Sequence, residues 1–272
     1  MSKGFKLLRL EYLFSVIVPC LLCIYMNSYN LIDHIWILAG FGFYAITGNT
    51  LNDAIDMKYP NEKETLERVE GFHRKEIIII AIASFLLGTA CFLNPILVHP
   101  LLAIYLIIIV LSVIFYCFFK SLVILNQIIL GVSHIFLPWF MIKINAGDVL
   151  LNFWPALTIS EWLILTSVAA VAFSGQMLHE MIDGDSLSQL SPKTSQIVIW
   201  ISSIFAIIIS LISFIISENF IFFPIVLFPL GILYIFRKPR NNLLGTTSLK
   251  DTGIILGNLM FIYIILLTIA PI

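Results

Sequence analysis

Apolar residues gather in nine long stretches separated by short polar breaks, near residues 10–30, 33–52, 76–95, 98–117, 121–142, 151–178, 195–216, 219–236 and 252–270. Most are close to the roughly 20 residues that carry a helix across about 30 Å of hydrocarbon, and each is expected to be a membrane-spanning helix. Pro19, Gly40, Gly131, Pro138, Pro224 and Pro229 fall inside these stretches. Membrane helices tolerate such residues where neighbours satisfy the freed backbone groups, so they do not end the segments.

Composition supports this reading. Of 272 residues 60% are apolar and 11% charged, with a mean hydropathy of +1.03. A soluble domain carries about 25% charged residues. Nine crossings leave no room for a separate soluble domain, so residues 1–272 are expected to form a single integral-membrane domain. Fifteen basic residues against sixteen acidic ones, scattered through short loops, argue against a nucleic-acid partner.

Sidedness follows from the positive-inside rule. With the N-terminus in the cytoplasm, 14 of the 15 basic residues fall on cytoplasmic segments and only Lys143 falls outside. The C-terminus is then outside. Lys3, Lys6 and Arg9 precede an apolar run with no small-residue cleavage site after it, which predicts a retained first helix. Cys20 and Cys23 form a CxxC without further Cys or His nearby, and are read as packing residues. Trp36, Trp139, Trp154 and Trp162 lie near outer helix ends, where an amphipathic ring suits the interface.

The acids are unevenly spread. Twelve of the sixteen lie on the cytoplasmic side, and two groups stand at helix ends. Asn52, Asp53 and Asp56 close the second predicted helix, and on a continuing helix they project from one face. His179, Glu180, Asp183 and Asp185 follow the sixth. Carboxylates this close to hydrocarbon repel one another unless a cation lies between them. Oxygen donors of this kind suit Mg2+, which is held by one or two carboxylates plus substrate phosphates. Glu62, Glu64, Glu67 and Glu70 read instead as a solvated loop.

Basic groups alternate with these acids. Tyr116 and Lys120 end the fourth predicted helix, and the same spacing recurs as Tyr234 and Lys238 at the end of the eighth. The pattern gives a weak four-helix repeat, about 1–120 and 121–238, and offers cations to an anion such as phosphate. Asn49, Asn126, Gln127 and His134 are polar groups within helices. They read as core hydrogen-bonding groups or, more weakly, as groups that orient a second substrate.

The ordered set resembles the UbiA superfamily of intramembrane prenyltransferases. Asn52, Asp53 and Asp56 match the motif NDxxDxxxD, with Pro60 in place of its last Asp. Glu180, Asp183 and Asp185 resemble the second Asp-rich motif, and Tyr116 and Lys120 the intervening YxxxK. Arg68 and Arg9 loosely match two further arginines. The resemblance implies a nine-helix bundle in a bacterial cytoplasmic membrane, with its site facing the cytoplasm. The implied substrates are a prenyl diphosphate and a lipophilic or aromatic acceptor, with Mg2+ held by Asn52, Asp53, Asp56, Glu180, Asp183 and Asp185. Arg9, Arg68, Lys120 and Lys238 would bind diphosphate. Asp185 or His179 would act as base, and Tyr116 would shield the allylic cation. Glu62 or Glu64 is a candidate replacement for the acid missing at Pro60.

Two other readings use the same residues. A membrane terpene cyclase would ionise the diphosphate without an acceptor. A small-solute transporter would use the acids as a cation site, although such sites are expected near the midplane and not at one face.

Overall fold

The structure is a computed structural model that describes residues 3–58, 63–118, 123–151, 153–183, 187, 190–239 and 247–270. Lys120, Asp185 and Pro60 lie outside the described residues, as do the side chains of Asn126 and Asp183.

A short helix α1 (Lys3–Leu8) breaks at Arg9, whose backbone is left-handed (φ 49°), and a 3-10 turn, Leu10–Tyr12, leads into α2 (Phe14–Met26). Then come α3 (Ile35–Asp56), the short α4 (Lys63–Arg68), α5 (Arg74–Val98) and α6 (Leu101–Phe118). The fifth predicted span is a composite of α7 (Val123–Gly131), a π-helical turn at Val132–Phe136 and α8 (Leu137–Asn145). It is followed by α9 (Ile159–Asp183), α10 (Pro192–Ile216), a 3-10 stretch at Phe220–Val226 running into α11 (Leu227–Ile235), and α12 (Thr247–Ile269).

Among the described residues seven helices are long and apolar enough to cross a membrane, and two shorter apolar helices occupy Leu101–Tyr116 and Phe220–Ile235. The second of these begins as a 3-10 helix around Pro224, which lacks an N–H for the ladder. At roughly 2.0 Å per residue a 3-10 segment reaches further than an α-helix, so the composite spans about 27 Å. The start expected at residue 151 is corrected. Residues Val149–Leu150 pair antiparallel with Trp154–Pro155, and α9 begins only at Ile159.

The core is helix on helix. Residues of α2 are buried almost throughout, and Cys20 and Cys23 are fully enclosed, the latter's thiol directed at the Trp139 carbonyl (3.6 Å). Trp139 is also fully buried, so the interfacial placement read from its position does not hold for it; Trp36, Trp154 and Trp162 are exposed. Gly88 lets α5 meet α3, since a Cβ there would lie 2.4 Å from the Tyr44 ring. Gly257 does the same for α12 against Phe14 of α2.

Lys143, the one basic residue read outside the cytoplasmic set, is buried at the far end of α8. Its Nζ lies 3.2 Å from Glu161 and 3.1 Å from Asp148, and donates to Asn27 Oδ1 at 2.8 Å. Tyr29 donates to Asp148 as well. Burial acts to raise the Asp148 carboxyl, but the bonds from Tyr29 and Lys143 and the Lys143 charge hold it below its usual value. A depressed carboxylate contributes stability that is present above its unfolded pKa and lost as pH falls through the folded one. Because Asp148 is 46% exposed, solvent screening limits that contribution to about 0.5 kcal/mol. Unfolding midpoints followed below about pH 4 should fall less steeply in Asp148→Asn than in the native chain; identical slopes would remove Asp148 from the acid response.

Candidate functional site

The cavity that gathers the candidate residues has a volume of about 1170 Å³ and is lined by α2, α3, α4, α6, α7, α9, α11 and α12. On α3 its wall is a single stripe: Phe41, Tyr44, Ala45, Gly48, Asn49, Asn52 and Asp56. An α-helix turns about 100° per residue, which puts Asn52 and Asp56 only about 40° apart and carries Asn49 on the same face. The stripe runs about 22 Å from Phe41 to Asp56 at 1.5 Å per residue, changing from apolar to polar along its length.

Asn52 Nδ2 donates to Asp56 Oδ2 at 2.8 Å, which aims the amide and leaves Asn52 Oδ1 buried without a hydrogen-bond partner among the described residues. Asn49 Nδ2 is likewise buried without one.

Asp53 is placed differently from expectation. It sits on the shoulder of the stripe, fully buried and off the cavity wall. Its two oxygens accept from Arg68, Oδ2 from Nε at 2.9 Å and Oδ1 from Nη2 at 2.8 Å, while Arg9 Nη1 approaches to 3.8 Å. Asp53 is therefore the anchor of two arginines that do line the cavity. Burial alone would lower the Arg68 pKa, but the Asp53 bonds and charge outweigh it and raise the value, so the guanidinium is charged. Thr65 Oγ1 accepts from Arg68 Nη2 at 3.2 Å. Arg9 is directed by the left-handed kink between α1 and the 3-10 turn, its guanidinium 4.4 Å from the centre of the Tyr12 ring and its Nε buried without a hydrogen-bond partner among the described residues.

The second acidic motif repeats this arrangement. Glu180, three residues before Asp183 as Asp53 is before Asp56, is buried and off the wall, and accepts from Gln127 Nε2. Gln127 lines the cavity and has a buried Oε1 without a hydrogen-bond partner among the described residues. His179, Tyr116 and His134 also line it, the last carried on the π-helical turn with Nδ1 2.8 Å from Ser133 Oγ. Such turns are frequent at functional sites because they redirect side chains from the helical register.

Lys238 is not brought to the cavity. Phe236 is fully buried and its carbonyl accepts from Gln196 (2.7 Å) and Trp200 (2.9 Å), which turns the following residues outward. Lys238 is exposed, and Tyr234 carries Arg237 over its ring on the outer surface. In its stead the wall holds Lys250, from the first turn of α12, and Glu64 of α4. The ninth predicted segment begins at residue 252, so the sequence alone places Lys250 in the preceding loop, whereas the structure places it on α12. A cation in the first turn of a helix faces the positive end of the helix dipole and calls for an anion nearby.

Among the described residues no group of three or more His, Cys, Asp or Glu converges as a self-sufficient metal site. The donors that are present fit Mg2+ in its common form. Asn52 Oδ1, buried and without a hydrogen-bond partner among the described residues, and the Asp56 carboxylate would offer such an ion hard oxygen from one helix face.

The chain resembles known proteins in fold and in family. A solved UbiA homolog from Archaeoglobus fulgidus superposes with a TM-score of 0.71 at 14% identity, covering 99% of this chain and all of the other. The same homolog bound to GPP and Mg2+ gives 0.69 at 14% identity, with 99% and 100% covered. A digeranylgeranylglyceryl phosphate synthase structure gives 0.61 at 14% identity, with 99% of each chain covered. No curated protein matches the chain in sequence. The family model of the UbiA prenyltransferases matches residues 16–242, a span that includes both acidic motifs, and the chain belongs to that family.

Proposed function

We propose that this protein is a Mg2+-dependent intramembrane prenyltransferase that ionises an allylic prenyl diphosphate and passes the prenyl group to a lipophilic acceptor, an aromatic ring or quinone precursor. The observation that carries the reading is the cavity itself: a head of fixed cations and oxygen donors continuous with an apolar body long enough for an isoprenoid tail. The fold neighbours that hold GPP and Mg2+, or DMAPP and Mg2+, support it.

Each group has a place in this chemistry. Asn52 and Asp56, with Asp183 from the opposite motif, would hold the metal, which when bound withdraws charge from the departing diphosphate. Arg9 and Arg68, fixed by Asp53 before substrate arrives, meet the same developing charge without reorganising. Lys120 joins them by its match to the family motif. The rings of Tyr116, Phe41 and Phe136, which line the cavity, would shield the allylic cation. Gln127 Oε1 and Asn49 Nδ2 offer an acceptor and a donor to the second substrate. His179 or Asp185 would take the proton released when the acceptor ring regains aromaticity. Nine crossings, with the N-terminus and this polar end in the cytoplasm, complete the reading.

The test uses the full chain in lipid nanodiscs with labelled prenyl diphosphates of several lengths, with and without Mg2+ and a panel of aromatic acceptors. Diphosphate release that requires both metal and acceptor is expected. Release without acceptor, yielding a hydrocarbon or alcohol, would reassign the protein as a cyclase, and no release under any condition would overturn the reading.

A further inference from the structure

We infer that Lys250 is a diphosphate-binding residue and that Glu64 is an internal carboxylate that competes with the diphosphate for it. This rests on the prenyl diphosphate reading of the cavity. Lys250 Nζ lies 2.7 Å from Glu64 Oε2, a contact between residues 186 apart in the chain that joins α4 to the first turn of α12. The other oxygen of the same carboxylate accepts from Arg68 Nη1 at 3.4 Å. Arg68 has already committed Nε and Nη2 to Asp53, so Nη1 is the edge it turns toward Glu64.

Exposure separates the three partners. Lys250 and Arg68 are 10% and 13% exposed, whereas Glu64 is 49% exposed. The cations are fixed by the fold: Asp53 holds Arg68, and α12 is seated on α2 by the Gly257–Phe14 contact and by Asn258, which donates to the Glu11 carbonyl at 2.9 Å. The carboxylate reaches Lys250 from the exposed side of α4, the helix that also carries Arg68. A half-exposed single charge bridging two nearly buried cations is readily displaced by a diphosphate, which carries more charge and more acceptor oxygens to the same two donors. Lys250 also stands where the α12 dipole adds to the attraction for an anion.

The inference predicts opposite signs for two neutralising substitutions, read by calorimetric binding of geranyl S-thiolodiphosphate, an unreactive analogue, with Mg2+ to the full chain in nanodiscs. Lys250→Gln should weaken binding about tenfold, the loss of one charge-assisted hydrogen bond. Glu64→Gln should tighten it by roughly two- to fivefold, the size of a partly exposed ion pair, and by less when Lys250 is already Gln. Lys250→Arg should retain most of the affinity and guards against a folding defect in Lys250→Gln. Native affinity in a folded Lys250→Gln, or weaker binding in Glu64→Gln, overturns the inference. The latter result would instead make Glu64 a metal ligand in place of the acid missing at Pro60. No analogue binding by the native chain would overturn the prenyl diphosphate reading itself, a distinct outcome.

Discussion

Asp56→Ala is expected to lower Mg2+-dependent diphosphate release by about 10³-fold, equivalent to several kcal/mol of lost charge stabilisation, while the protein stays folded in the membrane. Two losses coincide at this position. The carboxylate that faces the cavity is removed, and Asn52 loses the acceptor that aims its amide. The unpartnered Asn52 Oδ1 then has no fixed direction, so a second oxygen donor is lost with the first. Asp56→Asn keeps the shape but supplies no charge, and should be nearly as inactive. The check is single-turnover diphosphate release across a Mg2+ titration, alongside an unfolding midpoint. Activity restored at high Mg2+ would indicate weakened metal affinity with the rest of the site intact; native activity at low Mg2+ would remove Asp56 from the metal site.

The contrast between Asp56 and Asp53 shows what helical periodicity resolves. Spacing alone puts Asn52, Asp53 and Asp56 on one side of a helix, and α3 does continue through Asp56. A difference of about 60° between Asp53 and Asp56 is nevertheless enough to turn one into the cavity and the other toward α4, and only the position of Arg68 decides which. Glu180 presents the same case, since its partner Gln127 lies 53 residues away on another helix. The apolar segments, the clustering of acids at two helix ends and the family motif were legible because they are local in sequence. Lys250 was legible only as a loop-side charge, since its value depends on α12 returning to α2. Lys238 read as its stronger rival because it repeats the Tyr116–Lys120 spacing, and the burial of Phe236 that turns it outward is a tertiary fact. The hairpin at Val149–Pro155 was hidden for a related reason: its apolar residues extend the run of α9 and carry no separate signature.

Breaking the Asp53–Arg68 pair should be the most destabilising change in the site. Asp53 has no exposure to solvent, and its carboxylate is matched by a two-pronged guanidinium with Arg9 behind it. Removing one member of a buried ion pair costs about 3–5 kcal/mol, because the other is left as an uncompensated buried charge. Arg68→Ala should fall near the lower end of that range, since Arg9 remains 3.8 Å from Asp53 and offers partial compensation. Asp53→Ala should fall near the upper end, since it strands two cations whose mutual repulsion it had offset. The double change Asp53→Asn with Arg68→Gln should cost less than the sum of the single ones by about 1 kcal/mol or more, the coupling expected of residues in direct contact. Equilibrium unfolding in mixed micelles measures this cycle, and additive costs would show that the two side chains are neighbours without energetic linkage. The same variants separate anchoring from metal binding. If Asp53 acts through the arginines, Asp53→Asn should raise the apparent KM for prenyl diphosphate while leaving the Mg2+ dependence near native, whereas a shifted Mg2+ requirement would place Asp53 in the metal shell despite its burial off the cavity wall.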